Sequence, residues 1–335
     1  MTQLKKRKIL LLAVMIAMTA AFTIVSPYYI KFSNWMSILR EASNVGILAV
    51  GMTFVIIVGG IDLSVGSVFS ICAMLYVRLF EGTSLPTIVV VLAVLLLSVG
   101  VGVLNGLFVT RLKVPDFIAT LASMTILRGL TIIAAPRDMN GNVASINISN
   151  KAFSSLADKI GPVYLVFIAF VVICVVAHLI LKYTRIGTSA YALGANAKSA
   201  MLSGIDAKKV KMFTYGLSGL TAGIAATFYT ARIRTATVDL GSGIETSVIA
   251  AVVVGGTSFA GGEGDIIGTA IGAIFLKALQ NGLYKLDISA TFDPIIIGCV
   301  IILSILLDSI LAHFSGRKAP AGKAARRKGA SQNAE

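Results

Sequence analysis

The stretch Gly59-Gly60-Ile61-Asp62-Leu63-Ser64-Val65-Gly66-Ser67 separates two apolar runs with glycines, hydroxyls and one carboxylate. A carboxylate such as Asp62 costs roughly 2.5–3.5 kcal/mol at the centre of an inserted helix, so it is normally kept beside water, a partner or a pathway. Glycines let the chain leave the helical conformation and approach its neighbours closely. The stretch therefore predicts a broken helix beside a polar route through a membrane.

Composition sets the class of protein around that stretch. The chain has 335 residues, of which 56% are hydrophobic and 13% charged, and its mean hydropathy is +0.90. A span needs about 20 mostly apolar residues to cross a hydrocarbon core of about 30 Å, and several segments reach that length. We expect an all-α polytopic membrane protein with about ten transmembrane helices, some short or broken. The predicted spans are 9–29, 42–59, 65–80, 86–109, 115–135, 161–181, 212–231, 245–259, 265–283 and 292–313.

The positive charge follows this topology. An even number of spans places both basic termini on one side, together with Arg111, Lys113 and the basic loop 182–211, and the positive-inside rule makes that side cytoplasmic. The net charge of +14 is therefore not a sign of nucleic-acid binding. We expect a membrane domain over residues 1–315 and a basic, disordered cytoplasmic tail over 316–335 near anionic headgroups.

The glycines repeat. Val58-Gly59-Gly60, with Gly66 six residues further, is echoed by Val254-Gly255-Gly256 with Gly262 at the same offset. Such glycines suit close helix packing, but acceptor-rich residues also suit a passage that replaces water around a polyhydroxyl solute. Asp62 has two compatible roles: it lines this passage, or it caps the next helix. The predicted lining residues are Gly59, Gly60, Asp62, Ser64, Gly66, Ser67, Gly255, Gly256 and Thr257.

The inner loop contains a short helix with its own end signals. Asn196 is suited to cap a helix over 197–203, and Gly204 is suited to the left-handed residue that ends it. Small residues and two apolar side chains, Met201 and Leu202, suit docking into a groove on another protein; a helix lying on the membrane surface is the alternative. We also expect no catalysis and no cofactor on this chain, because phosphate-loop, zinc and nucleophile motifs are missing from the sequence.

Three motifs together resemble the ribose-type permeases of ATP-binding-cassette (ABC) importers. The first is Gly46-Ile47-Leu48-Ala49-Val50-Gly51-Met52-Thr53, continuing to Ser67. The second is Thr184-Arg185-Ile186-Gly187 with Tyr191-Ala192-Leu193-Gly194-Ala195-Asn196 and Ser203-Gly204-Ile205. The third is Val253-Val254-Gly255-Gly256-Thr257 with Gly261, Gly262 and Gly268-Thr269. Ala195 departs from the second glycine that this family commonly has there.

The resemblance implies a type II importer fold in a bacterial cytoplasmic (inner) membrane. It also implies a second permease copy or a homologue, two cytoplasmic ABC ATPases that hold ATP and Mg, and an external sugar-binding protein. The loop that contacts the ATPase would include Arg185, Gly194, Asn196, Ala200, Ser203, Gly204 and Ile205. Arg137, Arg232 and Arg234 are candidates to meet acidic residues of the binding protein, because complementary charge guides docking; solvated arginines are the alternative.

Two other classes of function compete with an ATP-driven sugar importer. One is a secondary transporter driven by an ion gradient, in which Asp62 would be the titrating group. The other is a membrane scaffold that transports nothing. Association with an ATPase separates the first class from the second, and saturable uptake would exclude the third.

Overall fold

The computed structural model describes residues 3–137 and 147–314, so the predicted tail 316–335 lies outside the described part. The helices are α1 (Gln3–Val25), α2 (Phe32–Ile57), α3 (Val65–Gly82), α4 (Thr87–Thr110), α5 (Asp116–Ala134), α6 (Lys151–Ser154), α7 (Leu165–Tyr183), α8 (Arg185–Ala195), α9 (Ala197–Leu202), α10 (Ala207–Ile233), α11 (Ile244–Val254), α12 (Ile266–Tyr284) and α13 (Asp293–Phe314). Two 3-10 turns (Ser155–Ala157 and Ala290–Phe292) and an antiparallel pair of two-residue strands, β1 (Lys159–Ile160) and β2 (Val163–Tyr164), complete the described chain.

The prediction of an all-α polytopic membrane protein is confirmed. Within the described residues, seven helices are long and apolar enough to cross a membrane: α1, α2, α3, α4, α5, α7 and α12. The helix α10 has 27 residues and reaches about 40 Å, enough to cross, although its many Thr, Ser, Gly and Ala residues make it less apolar. In contrast, α11 has 11 residues and reaches only about 16 Å, so it is a half-helix.

The helices α2 and α10 form the centre of the molecule. α10 packs against α4, α2 and α3, and every residue of α2 from Ala42 to Ile57 is buried. Small residues make this contact close: at Gly219 of α10, an added Cβ would collide with the carbonyl oxygen of Ser98 on α4. Because interhelical packing in lipid depends on close approach, these small residues explain why the least apolar long helix lies at the centre.

The outer helices expose apolar side chains around this centre. Ile88, Leu96 and Leu104 on α4 are 51–72% exposed, as expected for a helix that faces lipid. The helix α1 packs on α12, and the amine of Lys8 forms an ion pair with Asp265, the N-cap of α12. The start of α12 therefore lies on the same side of the molecule as the basic start of α1.

Several predicted boundaries were wrong. The span 42–59 begins ten residues earlier, at Phe32, because Ser33, Asn34, Arg40 and Glu41 lower the local hydropathy without ending the helix. The basic loop 182–211 is largely helical: it holds the last residues of α7, all of α8 and α9, and the first five residues of α10. Lys182 stands in the last turn of α7, where the helix dipole favours positive charge, whereas Arg185 and Lys208 stand in the first turns of α8 and α10, where it does not.

Candidate functional site

Two broken-helix loops share one mode of helix termination. In α2 the N–H groups of Gly59 and Gly60 donate to the carbonyls of Ile56 and Val55 (both 2.9 Å), and Gly59 has a φ of 78°. In α11 the N–H of Gly256 donates to Val253 O (2.8 Å), and Gly256 has a φ of 93°. Both are Schellman-type ends, in which a left-handed glycine lets the chain turn back on the last carbonyls.

The two glycine-containing stretches therefore share the same backbone conformation, but the predicted alignment between them is shifted by one residue. Gly59 corresponds in conformation to Gly256, not to Gly255, because Gly255 still has a helical φ of −65°. Thr257 occupies the place of Gly60, and its N–H donates to Val252 O at 3.2 Å. Glycine spacing alone could not distinguish the last helical residue from the left-handed residue that follows it.

The two loops meet each other and the end of α8 at a contact that we call the inner junction, formed by Ile57, Gly59, Gly194, Gly261 and Gly262. The N–H of Gly262 donates to the carbonyl of Ile57 at 2.8 Å, the last residue of α2. At Gly194 of α8, an added Cβ would collide with that same carbonyl and with the N–H of Gly262. The inner junction thus ties both broken helices directly to the predicted ATPase-contacting loop.

A side chain of α8 strengthens this connection. The hydroxyl of Tyr191 donates to the carbonyl of Gly264 at 2.8 Å, in the loop before α12. Burial, with a smaller contribution from the nearby Asp265 carboxylate, raises the pKa of Tyr191 to about 12. The phenol therefore stays protonated at neutral pH and can keep donating this hydrogen bond.

The carboxylate of Asp62 is buried and fully engaged within the chain. One oxygen, Oδ1, accepts hydrogen bonds from the backbone N–H of Ser64 (3.0 Å) and from its hydroxyl (2.6 Å). The other, Oδ2, accepts from the hydroxyl of Ser218 on α10 at 2.8 Å. Asp62 is 1% exposed. It forms a turn just before α3, whose N-cap residue is Ser64, and it ties that turn to α10.

The hydrogen bonds continue from Ser64 into two further helices. The amide of Asn105 on α4 donates to Ser64 Oγ at 2.8 Å, and the hydroxyl of Ser123 on α5 donates to Asn105 Oδ1. We call Asp62, Ser64, Asn105, Ser123 and Ser218 the buried polar network. Each member is at most 8% exposed, so the network fixes the broken stretch from several sides.

The starts of α3 and α11 face each other beside this network. At Gly66, an added Cβ would lie 2.6 Å from the carbonyl of Gly241 and 2.6 Å from Glu245 Oε2. Glu245, in the first turn of α11, also forms an ion pair with Arg128 of α5 at 3.6 Å. The predicted residue Ser67 follows Gly66 and is buried, with no hydrogen-bond partner for its hydroxyl.

The structure brings the predicted pathway residues together only in part. Gly59, Gly255, Gly256 and Thr257 lie at the ends of α2 and α11, whereas Asp62, Ser64, Gly66 and Ser67 lie at the start of α3. Gly60 packs under α10, where an added Cβ would lie 2.8 Å from the hydroxyl of Tyr215 and 2.9 Å from Asp116 Oδ2. Asp116 in turn pairs with Lys211 at 3.0 Å.

The predicted short inner helix is confirmed as α9, one residue shorter than expected. The side chain of Asn196 accepts from the N–H of Ser199 at 3.1 Å, and Gly204 has a φ of 83°. Met201 and Leu202 are 54% and 83% exposed, whereas Ala200 is 5% exposed and packs against the rest of the chain. An ATPase could therefore contact Met201 and Leu202 but not the side chain of Ala200.

The remaining predicted loop residues lie around α9. Arg185 is exposed in the first turn of α8, and Ser203 is exposed directly after α9. The N–H of Ile205 donates to the carbonyl of Ala200 at 3.1 Å, which closes the end of the helix. The loop is thus a rigid helical element held by its own caps.

The three arginines proposed for docking occupy different environments. The guanidinium of Arg232 forms an ion pair with Glu41 of α2 and lies 5.1 Å from the ring centre of Tyr229. Arg234 is exposed with a φ of 57°, and its carbonyl accepts from the N–H of Ile148 at 2.7 Å. Arg137 is exposed at the edge of the described region. A binding protein that used Arg232 would have to displace its intramolecular carboxylate partner, Glu41.

Five residues of the buried polar network and of the neighbouring ion pair were not among the predicted site residues: Asn105, Ser123, Ser218, Arg128 and Glu245. Each is a polar residue within or beside an apolar segment, and such residues normally have a partner or a function. That signal was present in the sequence. Their partners on other helices were not, because contacts between distant segments depend on tertiary packing. The described residues also contain no group of three or more His, Cys, Asp or Glu residues that could hold a metal ion.

The helical bundle with broken, junction-linked helices defines a polytopic membrane permease. The chain belongs to the family described as "branched-chain amino acid transport system / permease component", which matches residues 34–305. No solved structure matches the chain. The family assignment contradicts the ion-gradient-driven alternative with Asp62 as the titrating site, since its members are subunits of ATP-driven importers.

Its curated relatives are sugar permeases by name. The chain is 38% identical over 304 residues to the ribose import permease protein RbsC of Haemophilus influenzae, covering 89% of this chain and 91% of that protein. It is 37% identical over 318 residues to RbsC of Escherichia coli strain K12, covering 91% and 94%. It is 32% identical over 295 residues to the D-allose transport system permease protein AlsC of that strain, covering 88% and 89%.

Proposed function

We propose that this chain is the membrane permease subunit of an ATP-driven importer for a pentose, a hexose or a related small polar solute. The family description mentions branched-chain amino acids, but the relatives that align over most of the chain include permeases named for ribose, allose and fructose. The unpartnered hydroxyls of Ser67 and Thr257 beside the broken stretches favour a polyhydroxyl solute over an apolar one. The observation that carries the proposal is the inner junction, which connects the broken helices to α8.

Energy would enter through α8 and α9. The exposed apolar pair Met201 and Leu202 gives α9 a surface that a groove on an ABC ATPase can cover. Movement of this loop would act on the ends of α2 and α11 through Gly194, because interfaces this tightly packed shift as units. ATP and Mg would be held by the partner ATPase, since the sequence has no phosphate-binding loop of its own.

The other partners follow from the same assignment. An external sugar-binding protein would dock on the outer side, where Arg137 and Arg234 are exposed, and a second copy of this chain or a homologue would complete the pathway. Both termini would be cytoplasmic in a bacterial inner membrane, in accord with the positive-inside rule. The tail 316–335 would then lie near anionic lipid.

The pathway would run beside the two broken stretches. Asp62 would act by holding the start of α3 in place, because its carboxylate accepts hydrogen bonds from Ser64 and Ser218. The exposed Gly59 and the unpartnered hydroxyls of Ser67 and Thr257 are better placed to meet solute when the permease changes conformation. Substrate identity would be set mainly by the external receptor.

Co-purification tests this proposal directly. The chain would be co-expressed with the cassette ATPase and sugar-binding protein encoded beside it, and ATP hydrolysis by the purified complex would be measured with and without ribose. We expect a stable complex whose hydrolysis rises when the binding protein and its sugar are added. Failure to associate with any such ATPase, under conditions in which the RbsC complex of Escherichia coli assembles, would refute the proposal.

A further inference from the structure

The ion pair between Arg128 and Glu245 lies at a place where lipid alone could not accommodate it. Arg128 stands 12 residues after Asp116 in the 19-residue helix α5, which places it about 18 Å along the helix and about 9 Å from its other end. An arginine inside an apolar span is expensive and normally faces a bundle interior or a water-filled space. The guanidinium pairs with Glu245 in the first turn of α11.

The exposure of the pair is uneven. The side chain of Arg128 is 39% exposed, whereas that of Glu245 is 13% exposed. Glu245 is therefore enclosed by the protein, whereas Arg128 on α5 is accessible from outside the chain. Because a lipid-facing charge at this depth is so costly, the open side is best explained by a water-containing passage next to α5.

The geometry of the pair leaves hydrogen-bonding capacity unused. The distance between the nitrogen and oxygen atoms is 3.6 Å, beyond the usual 2.7–3.2 Å of a direct hydrogen bond. Glu245 Oε2 is buried against Gly66 at the start of α3 and accepts no hydrogen bond. Ser67 and Ser70, on the first two turns of α3, also have buried hydroxyls without a partner.

We propose that Arg128 and Glu245 form a sugar-contacting station on the translocation pathway, where the starts of the broken helices α3 and α11 meet. At this station adjacent hydroxyls of the solute donate to the carboxylate and accept from the guanidinium, as vicinal hydroxyls can do. The station deepens the proposed function and rests on it. Neither residue belongs to the stretches that the glycine pattern singles out.

Two other sites are less suited to this role. The carboxylate of Asp62 is 1% exposed and its hydrogen bonds are satisfied within the buried polar network. The pair of Arg232 with Glu41 lies in direct contact and at the outer end of α10, so it can act on entry but not at the broken helices.

Cysteine accessibility tests the location of the station. Arg128→Cys would be placed in a chain whose Cys72, Cys174 and Cys299 are replaced, and the assembled complex would be treated with a water-soluble cationic thiol reagent. We expect Arg128→Cys to react, and bound ribose or allose to slow the reaction several-fold. The control is Leu96→Cys on α4, which is 72% exposed toward lipid. Labelling no faster than at position 96, or labelling that no sugar slows, would overturn the station.

Uptake kinetics provide an independent readout. Glu245→Gln should lower sugar uptake by about 10- to 100-fold, the usual effect of losing a charge-assisted hydrogen bond, while ATPase association is retained. The matched control is Arg78→Gln, which breaks an exposed ion pair to Glu81 of similar length, 3.7 Å, at the other end of α3. Unchanged uptake by Glu245→Gln contradicts the station.

The two proposals fail in different ways. If the unsubstituted complex shows no ATP-driven sugar uptake, the proposed function is wrong, whatever position 128 does. If that complex takes up sugar while Arg128→Cys stays unlabelled, only the station is wrong. Accessibility is measured on the assembled complex, so a variant that fails to assemble is recognised before labelling, and Arg128→Lys then replaces it in the uptake assay with the expectation of partial activity.

Discussion

Replacing Asp62 with alanine should destabilise the protein rather than merely weaken solute contact. The substitution removes three hydrogen bonds to a buried carboxylate, and it leaves the backbone N–H of Ser64 without an acceptor. Hydroxyls can rotate toward other acceptors, but a buried backbone N–H cannot, and each stranded donor costs about 1–3 kcal/mol. Together with the lost charge-assisted bonds, we expect a loss of about 3–6 kcal/mol in the free energy of unfolding.

Thermal unfolding of the purified chain in detergent would measure this loss. For a chain of this length, that loss corresponds to a fall in Tm of at least about 4 °C. Asp62→Asn retains one acceptor oxygen and should cost less, about 1–2 kcal/mol. Asp158→Ala, which replaces an exposed aspartate directly before β1, is the control and should leave the Tm unchanged. If Asp62→Ala unfolds at the same temperature as the unsubstituted chain, the buried polar network does not hold the broken stretch.

Three further predictions concern α8, α9 and the start of α10. Gly194→Ala should disrupt the inner junction and abolish ATP-driven uptake, whereas Gly100→Ala, where an added methyl meets open space, should be silent in the same uptake assay. Leu202→Glu should weaken ATPase association at least about tenfold in a pull-down, since it places a charge in an apolar contact, while Leu112→Glu, also exposed but outside α8 and α9, should not. Backbone N–H groups, first that of Lys209, lower the pKa of Asp206, the N-cap of α10. The stabilisation by Asp206 is therefore present above the ordinary carboxyl pKa and lost as the pH falls through the lowered pKa. The Tm difference between Asp206→Ala and the unsubstituted chain should be seen at pH 7 and should shrink as the pH falls through that lowered pKa.

Most of the membrane-spanning pattern could be predicted from sequence because long apolar runs directly reflect the bilayer thickness. The prediction failed where polar residues belong to a helix. Ser33 is exposed and Asn34, Arg40 and Glu41 are half-buried in the first turns of α2, before its buried part begins. Thr, Ser and Gly residues fill α10, where they are stable because neighbouring helices, not lipid, surround them.

The candidate site was only partly predictable. The capped helix α9 could be predicted to within one residue, because Asn196 and Gly204 act on their immediate neighbours. The broken stretch at Asp62 could be located but its contacts could not, since Ser218 is 156 residues away in sequence. The ion pair of Arg128 with Glu245 was not predicted for the same reason. Nor was the burial of Ala200, which depends on how α9 packs against the rest of the chain.

The most direct test of the account is solute accumulation in sealed vesicles. The purified chain would be reconstituted with its ATPase, its permease partner and the sugar-binding protein, and the internal ribose concentration would be compared with and without ATP. The account predicts uphill accumulation only with ATP and all partners present, and none by this chain alone under a proton or sodium gradient. Accumulation by the chain alone, driven by such a gradient, would contradict it.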